Sequence, residues 1–152
     1  VLNVLFLLEF GLLQEPVLYL SKFINENKAE YYRRLLAVTE RQEWEAWVLF
    51  MLEAVQETSE QTLEMVEGVQ RVREEFRERM RETSAGVNAD LLDLLFEQPY
   101  TRIKSVMDAC GVSRPTATKW LRGLADGGLL TERQAGRERL FANTGLLGVL
   151  EG

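Results

Sequence analysis

Apolar residues recur along this chain at helical spacing, and turn residues mark the places where the spacing breaks. Residues 1–10 predict an apolar helix stopped at Gly11, followed by a loop through LLQEPVLYLS with Pro16 in it. Ser21 predicts the N-cap of a short helix to about Asn25, and 28-KAEYYRRLLAV-38 predicts another. From Trp44 onward, Trp47, Val48, Met51, Leu52 and Val55 form a broad apolar face. It narrows through Thr62, Val66, Val69, Val72, Phe76 and Met80, which predicts one long helix or two with a bend. Unbroken from Glu43 to Glu82, such a helix would run roughly 60 Å, longer than a small domain is wide. It must therefore bend, bridge two bodies or pack against a partner, and Gly68 is its weakest point.

The stretch 83-TSAGVNAD-90 interrupts the pattern, with Gly86 as breaker and Asn88 as N-cap, and predicts a boundary. Beyond it, a helix over 89-ADLLDLLFEQ-98 ends at Pro99. Thr101 predicts the cap of a helix over 102–110, Gly111 a tight turn, and Ser113 the cap of a third helix with Pro115 in its first turn. In that third helix Ala117, Trp120, Leu121 and Leu124 share one face. Pro115, Thr118, Lys119 and Arg122 are each displaced from it by two residues, about 200°, onto the opposite one. After Gly127-Gly128, the segments 129-LLTER-133 and 137-RERLFA-142 around QAG predict a β-hairpin carrying Arg133, Arg137 and Arg139.

Charge refines this division. The net charge of −6 lies wholly in residues 1–86, with 10 basic and 16 acidic side chains, whereas 87–152 hold 8 of each. Within 99–143 the balance is 8 − 4 = +4, a locally basic module attached to an acidic helical one. Arginines and glutamates in 71-RVREEFRERMRE-82 interleave as Arg71 with Glu75, Glu75 with Arg79, Glu74 with Arg77 and Glu78 with Arg81. That pattern fits a solvated helix rather than a nucleic-acid-binding one.

Composition excludes several chemistries. No histidine is present, which removes the commonest general base and metal ligand, and one cysteine, Cys110, builds neither a disulfide nor a zinc site. No metal site is expected, and a half-buried thiol in a reducing cytoplasmic setting is. Glu9 interrupts the opening apolar run too early for a membrane span, and no cationic leader precedes that run, so no membrane association is expected.

GVSRPTATKWLRGL, DGGLL and the Gly136-Arg137 hairpin together resemble a winged helix-turn-helix domain of the bacterial regulator type over roughly residues 88–143. The resemblance implies that the third helix enters a DNA major groove while the hairpin follows the backbone. It assigns DNA contacts to Ser113, Arg114, Thr116, Thr118, Lys119 and Arg122, with Arg137 at the hairpin tip. The alternative use of such a module is protein docking or dimerisation.

The front half is similar to another family. VLNVLFLLEFGLL, the P-x-L-Y-L-S turn at Pro16, the paired Tyr31-Tyr32 and the Trp44-x-x-Trp47 opening of the next helix resemble the part of bacterial Fic-domain proteins that follows their catalytic motif. This resemblance spans residues 1 to about 58, and a C-terminal winged helix is itself a Fic-protein arrangement. It implies a parent protein that transfers AMP from ATP, with Mg²⁺, to hydroxyl side chains of a target protein. The family's loop, H-P-F-x-x-G-N-G-R-x-x-R, is absent from this sequence, which reads as beginning just after the motif's last Arg. The chain alone is therefore expected to be inactive, with no catalytic residue and no tightly held cofactor. Tyr32 and Thr39 match positions lining the base or ribose side of the nucleotide pocket.

The expected architecture is mainly α: Fic-type C-terminal helices over 1–58, a connecting helix over 59–86 and a winged helix-turn-helix domain over 87–152. Val4, Leu5, Leu7 and Leu8 are left with few surfaces to bury against unless a second copy supplies them, so a homodimer or mobile front helices is expected. The alternative reading is a stand-alone winged-helix transcription regulator dimerised through its helical front half.

Overall fold

A computed structural model of the chain describes residues 2–14, 19–136 and 138–151. It contains eight helices and one small antiparallel sheet among those residues. The chain divides into two compact units, Val1–Glu64 and Met65–Gly152, with the division inside the longest helix.

In the first unit, α1 (Leu2–Glu9), α2 (Leu20–Glu26) and α3 (Lys28–Arg41) precede α4 (Trp44–Met80). Gly11, at φ 67°, ends α1 in the left-handed conformation that glycine adopts without a steric penalty. The loop around Pro16 lies outside the described residues. Ser21 does not cap α2: the helix starts at Leu20, with Tyr19 at the cap position, because Leu20 and Phe23 are both drawn into the core and Ser21 is left facing solvent. Helix α3 runs past the expected Val38 to Arg41 and closes on Gln42 in the left-handed conformation. Its arginine Arg34 donates to the carbonyl of Ala46 at 2.7 Å and lies over the Phe50 ring, 5.3 Å from its centroid.

The core of this unit is small: Leu20, Phe23, Phe50 and Ala54 are buried, with Leu7, Leu13, Ile24, Tyr31, Met51 and Val55 packed against them. Much apolar surface stays in solvent. Leu5, Trp44, Val48 and Leu52 are exposed, Leu7 and Leu8 are half-buried, and the side chain of Val4 lies outside the description.

Helix α4 is unbroken over 37 residues, and Gly68 does not interrupt it. The second unit contains its C-terminal part, then α5 (Ala89–Glu97), β1 (Tyr100–Arg102), α6 (Ile103–Cys110), α7 (Arg114–Asp126), β2 (Thr131–Ala135), β3 (Glu138–Ala142) and α8 (Thr144–Glu151). The strand order is β1-β3-β2, both pairings antiparallel, with Thr101 opposite Phe141 and Arg133 opposite Leu140.

Asn88 caps α5 as expected, its side chain accepting from the Leu91 N–H at 2.9 Å. Thr101 does not cap α6. Held extended after Pro99, it pairs with Phe141 and buries its β-branched side chain, so Arg102 takes the cap position, where its side chain does not cap the helix. A third strand thus joins the expected hairpin.

Phe76 and Met80 of α4, Leu91 and Leu95 of α5, Val106 of α6, Leu121 and Leu124 of α7 and Phe141 of β3 form the core of the second unit. Trp120 packs half-buried at its edge, a core role rather than a stacking platform. The Phe76 and Phe96 rings meet edge to face at 5.5 Å. Of the four ion pairs expected along 71–82, Glu74–Arg77 forms at 3.3 Å and Glu78–Arg81 at 2.7 Å. The expected Glu75–Arg79 pair gives way to a tertiary contact, with Arg79 donating to the Gly127 carbonyl at 2.7 Å; Arg73, outside the expected pairs, reaches Asp93 on α5. No helix among the described residues is long and apolar enough to cross a membrane.

Candidate functional site

Helix α7 is set up by its neighbours. Gly111, at φ 64°, closes α6 in the left-handed conformation, and two residues later the Ser113 side chain accepts from the Thr116 N–H at 3.5 Å. The two hydroxyls of Ser113 and Thr116 are themselves 3.0 Å apart. Both are occupied in starting the helix, which places Pro115 where its missing N–H costs nothing. Ala117, Leu121 and Leu124 then anchor one face in the core.

The outward ridge consists of Arg114, Thr118 and Arg122, spaced four residues apart and so aligned along one side of the helix. Arg114 and Arg122 are exposed. Thr118 is half-buried, and its hydroxyl donates to the Arg114 carbonyl at 2.8 Å, leaving its oxygen able to accept. A groove lies on each side of this ridge. The narrower, about 300 Å³, has Arg102, Lys104 and Arg139 on its far wall, so five cations and, among the described side chains, no carboxylate line it. Arg139 also makes a 3.0 Å ion pair with Glu132 across the hairpin. Both partners are partly exposed, and such a pair contributes only ~0–1 kcal/mol, so an incoming anion can displace it.

The wider groove, about 1040 Å³, has a far wall made by the last turn of α4 and the residues after it, including Arg79, Glu82 and Ser84. Lys119 and Asp126 of α7 also line it. Gly123 lets this wall come close: a Cβ there would stand 2.5 Å from the Ser84 hydroxyl oxygen, which instead donates to the Lys119 carbonyl at 3.2 Å.

The structure therefore brings Arg114, Thr118 and Arg122 together as one ridge, sets Lys119 beside it, and commits Ser113 and Thr116 to capping. Arg137 lies outside the described residues. Arg102, Lys104 and Arg79 were not singled out by the sequence. Their place beside α7 depends on long-range packing, and only the basic excess over 99–143 signalled the first two. Tyr32 and Thr39 lie on α3 in the other unit, both exposed and seven residues apart on one side of the helix. The Tyr32 ring meets Tyr31 edge to face at 5.4 Å, and the Thr39 hydroxyl donates to the Leu35 carbonyl at 3.1 Å. Among the described residues no cluster of three or more acidic or cysteine side chains could hold a metal ion.

Against known families, residues 72–146 match the model described as protein adenylyltransferase SoFic-like, C-terminal domain. The matched segment starts within α4 and ends in α8, taking in the ridge and the sheet. Over residues 72–146 the chain is thus similar to the C-terminal part of a Fic-family protein adenylyltransferase.

Proposed function

We propose that this chain is the part of a Fic-type protein adenylyltransferase that follows the catalytic loop, and that its second unit is a winged helix-turn-helix module binding DNA. The basic groove beside α7 carries this reading: five cations converge with no carboxylate among the described side chains, beside a helix whose outer ridge is Arg, Thr, Arg. Phosphate oxygens are the natural ligands for such a surface, and guanidinium groups on an exposed helix ridge suit both phosphates and guanine edges. The succession α5, β1, α6, tight turn, α7 and hairpin supports the winged-helix assignment.

AMP transfer belongs to the parent protein. The sequence has no histidine to act as base and no Gly-Asn-Gly-Arg segment to hold ATP phosphates and Mg²⁺, so this stretch supplies no donor set for the nucleotide. Tyr32 and Thr39, exposed on α3, offer at most one wall of a nucleotide pocket. The chain by itself is inactive in AMP transfer.

The test is fluorescence anisotropy of a labelled DNA duplex titrated with the chain over a series of salt concentrations. Arg122→Ala weakens binding and makes the slope of log K against log salt shallower by about 1, as expected for one lost phosphate contact. If affinity and slope are unchanged for Arg122→Ala and for Arg139→Gln, DNA is not the partner and the module serves protein docking.

A further inference from the structure

A helix read only from the hairpin side would need one groove beside it, and α7 has two. Its ridge residues Arg114, Thr118 and Arg122 line both. The second groove is walled by α4, an element outside the helix-turn-helix itself, and brings Arg79 and Lys119 to the ridge from the other side.

This two-sided arrangement discriminates among nucleic acids. An α-helix with side chains is about 10–12 Å across and enters the B-form major groove, about 12 Å wide, so that one sugar-phosphate backbone passes on each side of it. A single strand offers one backbone. Duplex RNA presents a deep, narrow major groove that closes out a helix. Two grooves flanking one exposed basic ridge therefore match the two backbones of duplex DNA.

Resting on the DNA reading above, we infer that the end of α4 belongs to the interface, and that the wider groove takes the backbone of the second DNA strand through Arg79 and Lys119. Arg79 is held in place by its bond to the Gly127 carbonyl, which uses one of its five N–H donors and leaves others for phosphate. Lys119 is exposed on α7.

The two tracks differ in sign content. Among the described side chains the hairpin-side groove has no carboxylate, whereas Glu82 and Asp126 line the α4-side groove together with the cations. A phosphate entering there meets attraction and repulsion together. The hairpin-side backbone is held more tightly, and the two carboxylates keep overall affinity below what the cations alone would give. The module is thus tuned for weak, salt-sensitive engagement of a duplex.

The experiment compares a DNA duplex of about two helical turns, one of its single strands and an RNA duplex of the same sequence, each titrated with the full chain by anisotropy. The duplex DNA is expected to bind several-fold tighter than either alternative. Lys119→Gln, a change at a side chain on the exposed surface, makes the salt slope shallower by about 1. Glu82→Gln with Asp126→Asn tightens duplex binding several-fold. Arg79→Gln is accompanied by a thermal melt, because its bond to Gly127 is structural, and Lys119→Gln carries the conclusion if that variant unfolds.

Equal or tighter binding of the single strand or of the RNA duplex overturns the inference. So does duplex binding that depends on Lys104 and Arg139 but ignores Lys119→Gln and the double carboxylate variant; that result leaves the DNA reading standing. If Lys104, Arg122 and Arg139 are dispensable as well, the DNA reading itself falls and this inference with it.

Discussion

The Cγ1 atom of Val149 lies 2.9 Å from where a Cβ on Gly68 would stand, so the residue that looked like the weak point of α4 is where α8 docks on it. Glycine costs a helix interior ~1 kcal/mol relative to alanine, and here that cost is offset by the close approach of a branched side chain. Gly68→Ala gains the propensity but forces a short, β-branched neighbour to move. We expect net destabilisation of about 1–2 kcal/mol, on the scale of overpacking a core. In a Val149→Ala background the same change becomes stabilising. A double-mutant cycle by urea denaturation measures the coupling, and additive effects would show that the contact is not made in solution.

Asn143 ties α5 to α8 with one buried side chain, and its backbone holds Pro99 as well. Its amide donates to the Leu95 carbonyl of α5 at 3.2 Å, its oxygen accepts from the Leu146 N–H of α8 at 3.0 Å, and its own backbone N–H donates to Pro99 at 2.8 Å. Asn143→Ala leaves a buried donor and a buried acceptor without partners and removes the cap of α8. The expected loss is about 2–3 kcal/mol, measured by chemical denaturation. Asn143→Asp keeps the acceptor for Leu146 but places a carboxylate against the Leu95 carbonyl, and is expected to lose at least as much.

Helix periods and glycine turns were legible in the sequence because they depend on local rules. Asn88, Ser113, Gly11 and Gly111 act as the pattern predicts. The misreadings share one cause, which is that tertiary pairing outweighs local capping. Thr101 looked like a cap and became a strand residue because Phe141 pairs with it; Ser21 lost its cap role because Leu20 is buried. The ridge on α7 could be read from four-residue spacing. Its flanking walls could not, because Arg79 lies 43 residues before Arg122 in the chain (122 − 79) and reaches the groove only through the packing of α4.

Glu30 lies between Arg33 and Arg34 on α3, and its bonds to Arg33 and then Arg34 hold its carboxyl at about 2, down from 4.5. A depressed folded-state pKa means that the stabilisation is present above the unfolded value and is lost as pH falls through the folded one. Helix α3 should therefore retain this pairing at pH 4.5 and lose it progressively toward pH 2. Carboxyl ¹³C chemical shifts followed over that range test this directly. A Glu30 midpoint at the ordinary glutamate value, unchanged in Arg33→Gln, would show that the pair does not persist in water.

Cys110 closes α6 with its thiol half-buried, and burial, assisted by the nearby Asp90 carboxylate, pushes its pKa above the usual 9.0. Only the thiolate reacts with alkylating agents, so at neutral pH Cys110 should react with iodoacetamide more slowly than a free thiol does. The rate should still be climbing at pH 9.0, where an unperturbed thiol is half ionised. Removing the negative charge with Asp90→Asn leaves the burial in place. It should lower the midpoint only slightly, because desolvation is the larger cause. A large drop in that variant would instead assign the shift to the carboxylate. Rapid alkylation of the unaltered chain at pH 7 would mean that the end of α6 opens far more often than its packing against the core of the second unit implies.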